Sequence, residues 1–208
     1  MGSGHQHCSE ESDRPAVAVQ GGRDLNSDPK VVALVGSPRR HGNTVFAVGV
    51  ATQELERRGV LCETVLLCDL PISLADHEAG QRSRTSAEEQ VEAVLDRVWA
   101  ADGLILATPI HFSNVSAQMK AFMDATNDRY MNEQWLTPKT VGLLAIGVHV
   151  FTSTIEAMRR YLDLIAPSHP PVVVATGHAD AVGEAQSSQA VREAALIMAG
   201  RMADVLLG

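Results

Sequence analysis

At 208 residues and 45% hydrophobic content, the chain carries enough apolar side chain for one sizeable core and is short for two domains. Its 17 Lys and Arg against 25 Asp and Glu give a formal net charge of −8, which removes any general electrostatic reason to bind nucleic acid or an anionic membrane. No apolar run reaches the roughly 18 residues of a membrane span, and the first residues lack the basic-then-apolar order of a secretion signal, so a soluble cytoplasmic protein is expected.

Residues 1–29 mix Gly, Ser, His, Gln and charge without a period. They are expected to form a flexible extension, with His5 and His7 outside any functional site. The body, residues 30–208, reads as strand 30–35, helix 43–58, strand 61–67 and a loop through the early 80s, where Arg82 and Arg84 form a solvated basic pair. Helix 87–101, strand 103–108, helix 115–129, strand 140–146, helix 153–165, strand 172–176 and helix 184–207 follow. Uniformly apolar strands alternating with amphipathic helices predict a parallel sheet covered on both faces, joined by right-handed crossovers. Five strands suit an α/β flavodoxin-like three-layer sandwich, with order 2-1-3-4-5 expected. The three cysteines, Cys8, Cys62 and Cys68, have neither the number for a fully paired framework nor the close spacing of a metal site, and no metal is expected.

The run VVALV stops abruptly at GSPRRHGNT, residues 36–44, exchanging aliphatic side chains for hydrogen-bond donors. In a doubly wound sheet this turn opens the first crossover helix at the carboxyl edge, where ligands bind. Gly36 and Gly42 permit close backbone approach, Ser37, Asn43 and Thr44 place polar groups at the helix start, and Arg39 and Arg40 add positive charge. Unpaired amides at a helix N-terminus receive phosphate. Gly42 is followed by Asn43 rather than Lys, which excludes the triphosphatase loop, and no GxGxxG is present. A mononucleotide with one terminal phosphate is the expected ligand; a capped loop with two solvated arginines is the alternative.

A second loop follows strand 103–108 in ATPIHFSNVSAQMKAFMDATNDRY, residues 107–130. Pro109 is expected to stop the strand and Ser113 or Asn114 to cap the next helix, whose Met119, Phe122 and Met123 belong to the core. Pro109, Ile110, His111, Phe112, Ser113 and Asn114 combine an apolar wall with polar backbone, the pairing that an isoalloxazine ring needs. The two loops fit opposite ends of one flavin mononucleotide. A third loop, Gly147 to Val150, offers close approach at Gly147 and a substrate-side group at His149, while Ser153 and Thr154 are read as helix caps. Trp99 reads as packing; Trp135 is open between an interface and the site mouth, and Asp124 and Arg129 between a salt bridge, a dimer contact and cofactor binding.

The motifs GSPRRHGNT and TPIHFSNVSAQMKAF resemble the NADPH-dependent FMN reductase family, near its iron–sulfur flavoprotein branch, over the body from Lys30 onward. The resemblance implies FMN, with Ser37, Arg39, Asn43 and Thr44 on the phosphate and the amides near Arg40, His41 and Gly42 contributing, residues 109–114 beside the ring and Gly147 on a third ring-facing loop. It further implies NADPH or NADH as donor, a small acceptor such as a quinone or other aromatic metabolite, and a homodimer whose partner helps to enclose the flavin. The clustered cysteines of the iron–sulfur branch are missing after Leu67, which argues against a cluster, and His111 stands where the family commonly has Tyr. His111 and His149 are the candidates for substrate orientation or proton exchange. Alternatives are an electron carrier or regulatory flavoprotein with little small-molecule turnover, a specialised-metabolite flavoenzyme, and a scaffold that no longer holds FMN.

Overall fold

The computed structural model describes residues 28–72, 85–149 and 151–208. The expected extension with Cys8, His5 and His7, apart from its last two residues, and the loop with Arg82 and Arg84 lie outside the described residues. Five strands, β1 (Lys30–Val35), β2 (Leu61–Leu66), β3 (Gly103–Pro109), β4 (Thr140–Gly147) and β5 (Val173–His178), form one parallel sheet in the order β2-β1-β3-β4-β5. This is the flavodoxin-like arrangement expected from the sequence. Lys30 pairs with Leu61, Val31 with Gly103, Gly103 with Thr140 and Gly142 with Val173, so every strand points its carboxyl end to the same edge.

The central strands read as unbroken apolar runs because helices cover both of their faces. Val32, Leu34, Leu104, Leu106, Val141 and Leu143 pack towards α2 (Ser86–Ala100), α3 (Ala117–Ala125) and α5 (Phe151–Ile165). Val31, Ala33, Val35, Ile105, Ala107 and Leu144 alternate with them and face α1 (Asn43–Arg57) and α7 (Gln189–Leu207). At the edge, β5 buries Ala175 and leaves Val174, Thr176 and His178 exposed.

Four local expectations are corrected. The helix expected over 115–129 starts at Ala117 and breaks at Thr126 into α3 and α4 (Asn127–Met131), because the Thr126 hydroxyl donates back to the Met123 carbonyl at 2.7 Å and closes the turn. Its cap is Ser116, whose hydroxyl accepts from the Met119 N–H at 3.1 Å, and neither Ser113 nor Asn114 fills that position. The helix expected over 184–207 is interrupted at the extended residue Ser188, which separates α6 (Glu184–Ser187) from α7 and caps α7 through the Val191 N–H. Finally, α5 begins at Phe151, so Ser153 and Thr154 lie inside its first turn and do not precede it. No described helix is long and apolar enough to cross a membrane.

Candidate functional site

The turn after β1 is held from two directions. The Gly36 N–H donates to the Ala107 carbonyl of β3 at 2.7 Å, and the Gly36 carbonyl accepts from the Ser116 hydroxyl at 2.5 Å. A side chain at Gly36 would sit 2.8 Å from Met119 Cβ, so only glycine allows β1 to leave the sheet this close to α3. Ser37 is buried and spends its hydroxyl on the turn itself, accepting from the Arg39 N–H at 3.1 Å and donating to the Arg39 carbonyl at 2.9 Å.

Helix α1 then starts without a side-chain cap at Gly42 and without an acidic residue in its first turn. Its first internal bond is Phe46 N–H to the Gly42 carbonyl, which leaves the N–H groups of Asn43, Thr44 and Val45 without an acceptor among the described residues. Arg39 and His41 beside them are exposed. Arg39 has no ion partner among the described residues, whereas Arg40 is engaged by Asp69 at 2.8 Å. Uncapped amides, a helix dipole and one uncommitted guanidinium are donors of the kind that suit a small anion. Asn43 contributes only its backbone. Its side-chain amide donates to the Ala181 carbonyl at 2.8 Å and accepts from the Gly183 and Ala185 N–H groups at 3.0 and 3.2 Å.

The second loop meets the first through two buried hydroxyls that sequence reading passed over. Thr108 donates to the Pro109 carbonyl and accepts from the Ser116 N–H at 3.0 Å, and Ser116 carries the connection on to Gly36. β3 includes Pro109, which has no N–H to offer; Ile110 next supplies one to the Ile146 carbonyl at 2.9 Å. His111 and Asn114 then exchange both backbone hydrogen bonds at 3.0 Å and close a two-residue turn.

That turn places Phe112 and Ser113 at φ values of 48° and 61°, where neither residue type is at ease. Such strain, about 1–3 kcal/mol for each residue, persists only where the surroundings impose it, and it concentrates at functional sites. Here the Ser153 hydroxyl holds the Ser113 carbonyl at 2.5 Å and the Asn114 side chain accepts from the Val115 N–H at 2.8 Å. Phe112 is wholly exposed.

Gly147 completes the edge. A Cβ there would lie 2.8 Å from Ile110 Cβ, so the third loop packs directly on the second. His149 is exposed, its ring centre 6.4 Å from that of His178. Sequence reading missed a fourth wall, residues 178–185: Ala179 N–H donates to the Gly147 carbonyl at 3.1 Å, and Asn43 clasps the other end. Within it, the amides of Asp180 and Ala181 bind the Glu184 carboxylate and hold it below the usual carboxylate range.

Other candidates fall away from this edge. Arg129 bonds to Glu92 and Asp96, lies 4.8 Å over the Trp99 ring and has a salt-bridge role; Trp99 also donates to the Gln134 carbonyl. Asp124 pairs with Lys120, and Trp135 packs edge-on against Tyr130. Cys62 opens β2 at the amino edge, and burial pushes its thiol up to about 12. Burial and the neighbouring Asp69 likewise raise the Cys68 thiol, so neither cysteine has the character of a reactive thiolate.

With this edge in view, the family is decided by the match of residues 29–181 to the model of NADPH-dependent FMN reductase. The chain belongs to that family. It is 31% identical over 120 residues to an iron–sulfur flavoprotein of Methanocaldococcus jannaschii, a match covering 57% of this chain and 62% of the relative. The chain spans about half the length of the curated relatives it matches, all iron–sulfur flavoproteins. Among solved structures it resembles RosB with bound 8-demethyl-8-formylriboflavin-5'-phosphate, at TM-score 0.67 and 18% identity over 86% of this chain and 79% of the other. It also resembles an NAD(P)H:quinone oxidoreductase from Methanothermobacter marburgensis, at TM-score 0.62 and 19% identity over 88% and 98%. At these identities the structural matches establish the fold.

Proposed function

We propose that this chain is an FMN-dependent oxidoreductase that takes electrons from NADH or NADPH and delivers them to a small acceptor, a quinone or another aromatic metabolite. The observation that carries the reading is the unpaired first turn of α1 beside the free Arg39, set on the same edge as the strained 111–114 turn. FMN fits that donor set: the N–H groups of Asn43, Thr44 and Val45 and the Arg39 guanidinium suit a phosphate, and Gly36 and Gly147 let the three loops pack against α3 and Ile110 at one edge, where a planar ring would lie. The family membership and the riboflavin phosphate bound by RosB support the same ligand.

FMN held there would supply two-electron chemistry, receiving a hydride and passing electrons to an acceptor. The protein's share is placement. Ser37 shapes the phosphate turn, Thr108 and Ser116 fix the distance between the phosphate and ring ends, and the backbone of Ile110 to Asn114 and Gly147 lines the ring. His111 and His149, exposed at the mouth, orient substrate or exchange protons with it. The homodimer belongs to this reading through Phe112, an aromatic side chain at the mouth that no described residue of its own chain covers and that a second copy would bury.

The test is anaerobic mixing of FMN-loaded protein with NADH and with NADPH, followed by absorbance. Bleaching of the flavin, and its recovery on adding a quinone, are expected; flavin that stays oxidised with both donors would remove the oxidoreductase reading.

A further inference from the structure

Beside His149 the candidate site holds a second histidine, His178, which the proposed function leaves without a task. β4 and β5 end in register, Gly147 opposite His178, and the Ala179 N–H to Gly147 carbonyl bond ties the two exits together. This places the His149 and His178 rings at right angles to the nearest 20°, 70° apart in plane and 6.4 Å between centres, both exposed. Neither ring has a hydrogen-bond partner among the described residues. His169 is the contrast: its two nitrogens meet the Pro170 carbonyl at 2.6 Å and Asp163 at 3.2 Å, so its place is explained by its own chain. Glu184, whose charge couples to His178, is already taken by the Asp180 and Ala181 amides.

We propose that His149 and His178 form a subsite for the carboxylate of an aromatic acceptor. The inference rests on the oxidoreductase reading and names its substrate class. Metal chelation fits the pair poorly. Metal–nitrogen bonds of about 2.0–2.1 Å would draw the rings closer in a tetrahedral site, and among the described residues no third His, Cys, Asp or Glu joins them. A carboxylate suits the spacing better, because its two oxygens accept N–H bonds of about 2.7–2.9 Å from separate donors and so bridge ring centres 6.4 Å apart with the backbone at rest. Gly147 lies between the pair and Ile110, so a ligand anchored by its carboxylate would extend its aromatic body towards the 109–114 loop. On a chain of net charge −8, such directional donors offset the general repulsion that an acidic substrate meets.

Two measurements on the FMN-loaded protein test this. In the first, the imidazole NMR signals of His149 and His178, assigned through His149→Ala and His178→Ala, are followed during titration with benzoate and with neutral benzamide. Benzoate is expected to move both signals and benzamide neither, and His178→Ala to raise the benzoate Kd about fivefold to tenfold, the loss of one charge-assisted hydrogen bond at an exposed site. In the second, a 1,4-benzoquinone bearing a propionate side chain is compared with its methyl ester. The preference for the acid in kcat/KM is expected to fall by a similar factor in His178→Ala. Equal response to benzoate and benzamide, no response to benzoate, or an unchanged acid-to-ester preference would overturn the proposal. Shifts with benzoate in a protein that neither NADH nor NADPH reduces would leave the carboxylate subsite standing and remove the oxidoreductase reading.

Discussion

Replacing Ser116 with Ala is the sharpest perturbation of the site's framework, because one fully buried hydroxyl serves both loops. It caps α3 through the Met119 N–H at 3.1 Å and anchors the turn after β1 through the Gly36 carbonyl at 2.5 Å. Losing an N-cap costs about 1 kcal/mol, and leaving a buried carbonyl without a donor costs about 1–3 kcal/mol, so a destabilisation of about 2–4 kcal/mol is expected. At roughly 2–4 °C of Tm for each kcal/mol in a domain of this size, the melting point should fall by about 5–15 °C. Urea unfolding of the flavin-free protein, followed by the fluorescence of Trp99 and Trp135, gives the free energy; an FMN titration of the same variant gives the loop's share. Affinity for FMN should fall as well, since the turn loses one of its two backbone anchors. A destabilisation below about 1 kcal/mol would refute the reasoning, for it would mean that water or a shifted donor replaces the hydroxyl without cost.

Further outcomes are expected elsewhere. Arg39→Ala should weaken FMN binding about tenfold, the worth of one charged hydrogen bond, with the unfolding midpoint of the flavin-free protein unchanged; Arg40→Ala, whose guanidinium is occupied by Asp69, should weaken it less, and equal effects on titration would show that the ion pair does not distinguish the two. Asn43→Ala removes three hydrogen bonds to residues 181–185 and should lower stability by about 2–3 kcal/mol in urea; an unchanged midpoint would dissolve the fourth wall. Cys62, held at about 12 by burial, should stay unreactive towards a thiol reagent at pH 8 in the folded protein and react on unfolding. Because its folded value is raised, its contribution to stability is present below about pH 9 and is lost as pH rises towards 12; alkaline unfolding midpoints that do not improve in Cys62→Ala would argue against that assignment.

Much of the fold was legible because burial on two faces writes β1, β3 and β4 as uninterrupted aliphatic runs. The turn after β1 was equally legible as a donor-rich break between strand and helix, since its polar residues are contiguous. What stayed hidden depended on partners distant in sequence. Asn43 looked like a phosphate ligand and proved to clasp a segment 138–142 residues away, a contact that no local spacing encodes. Thr108 ended the expected strand and Ser116 carried no expectation of its own, and their joint role emerges only when β1 and β3 lie side by side. The break at Thr126 was missed because the apolar period runs on through it, while its hydroxyl closes the turn, and that at Ser188 because the polar run EAQSSQ joins the apolar helix behind it without a Gly or Pro to mark the boundary. His178 closes a strand expected to end at Thr176, and the register with Gly147 gives it meaning.

The central claim is that the uncapped start of α1 and Arg39 hold the phosphate of a flavin. It is tested most directly by titrating flavin-free protein with FMN and with riboflavin, which differ only in that phosphate, and measuring each Kd from flavin fluorescence. FMN is expected to bind at least about a hundredfold more tightly, the worth of two or more charged hydrogen bonds to the phosphate. Equal affinity for the two flavins would contradict it.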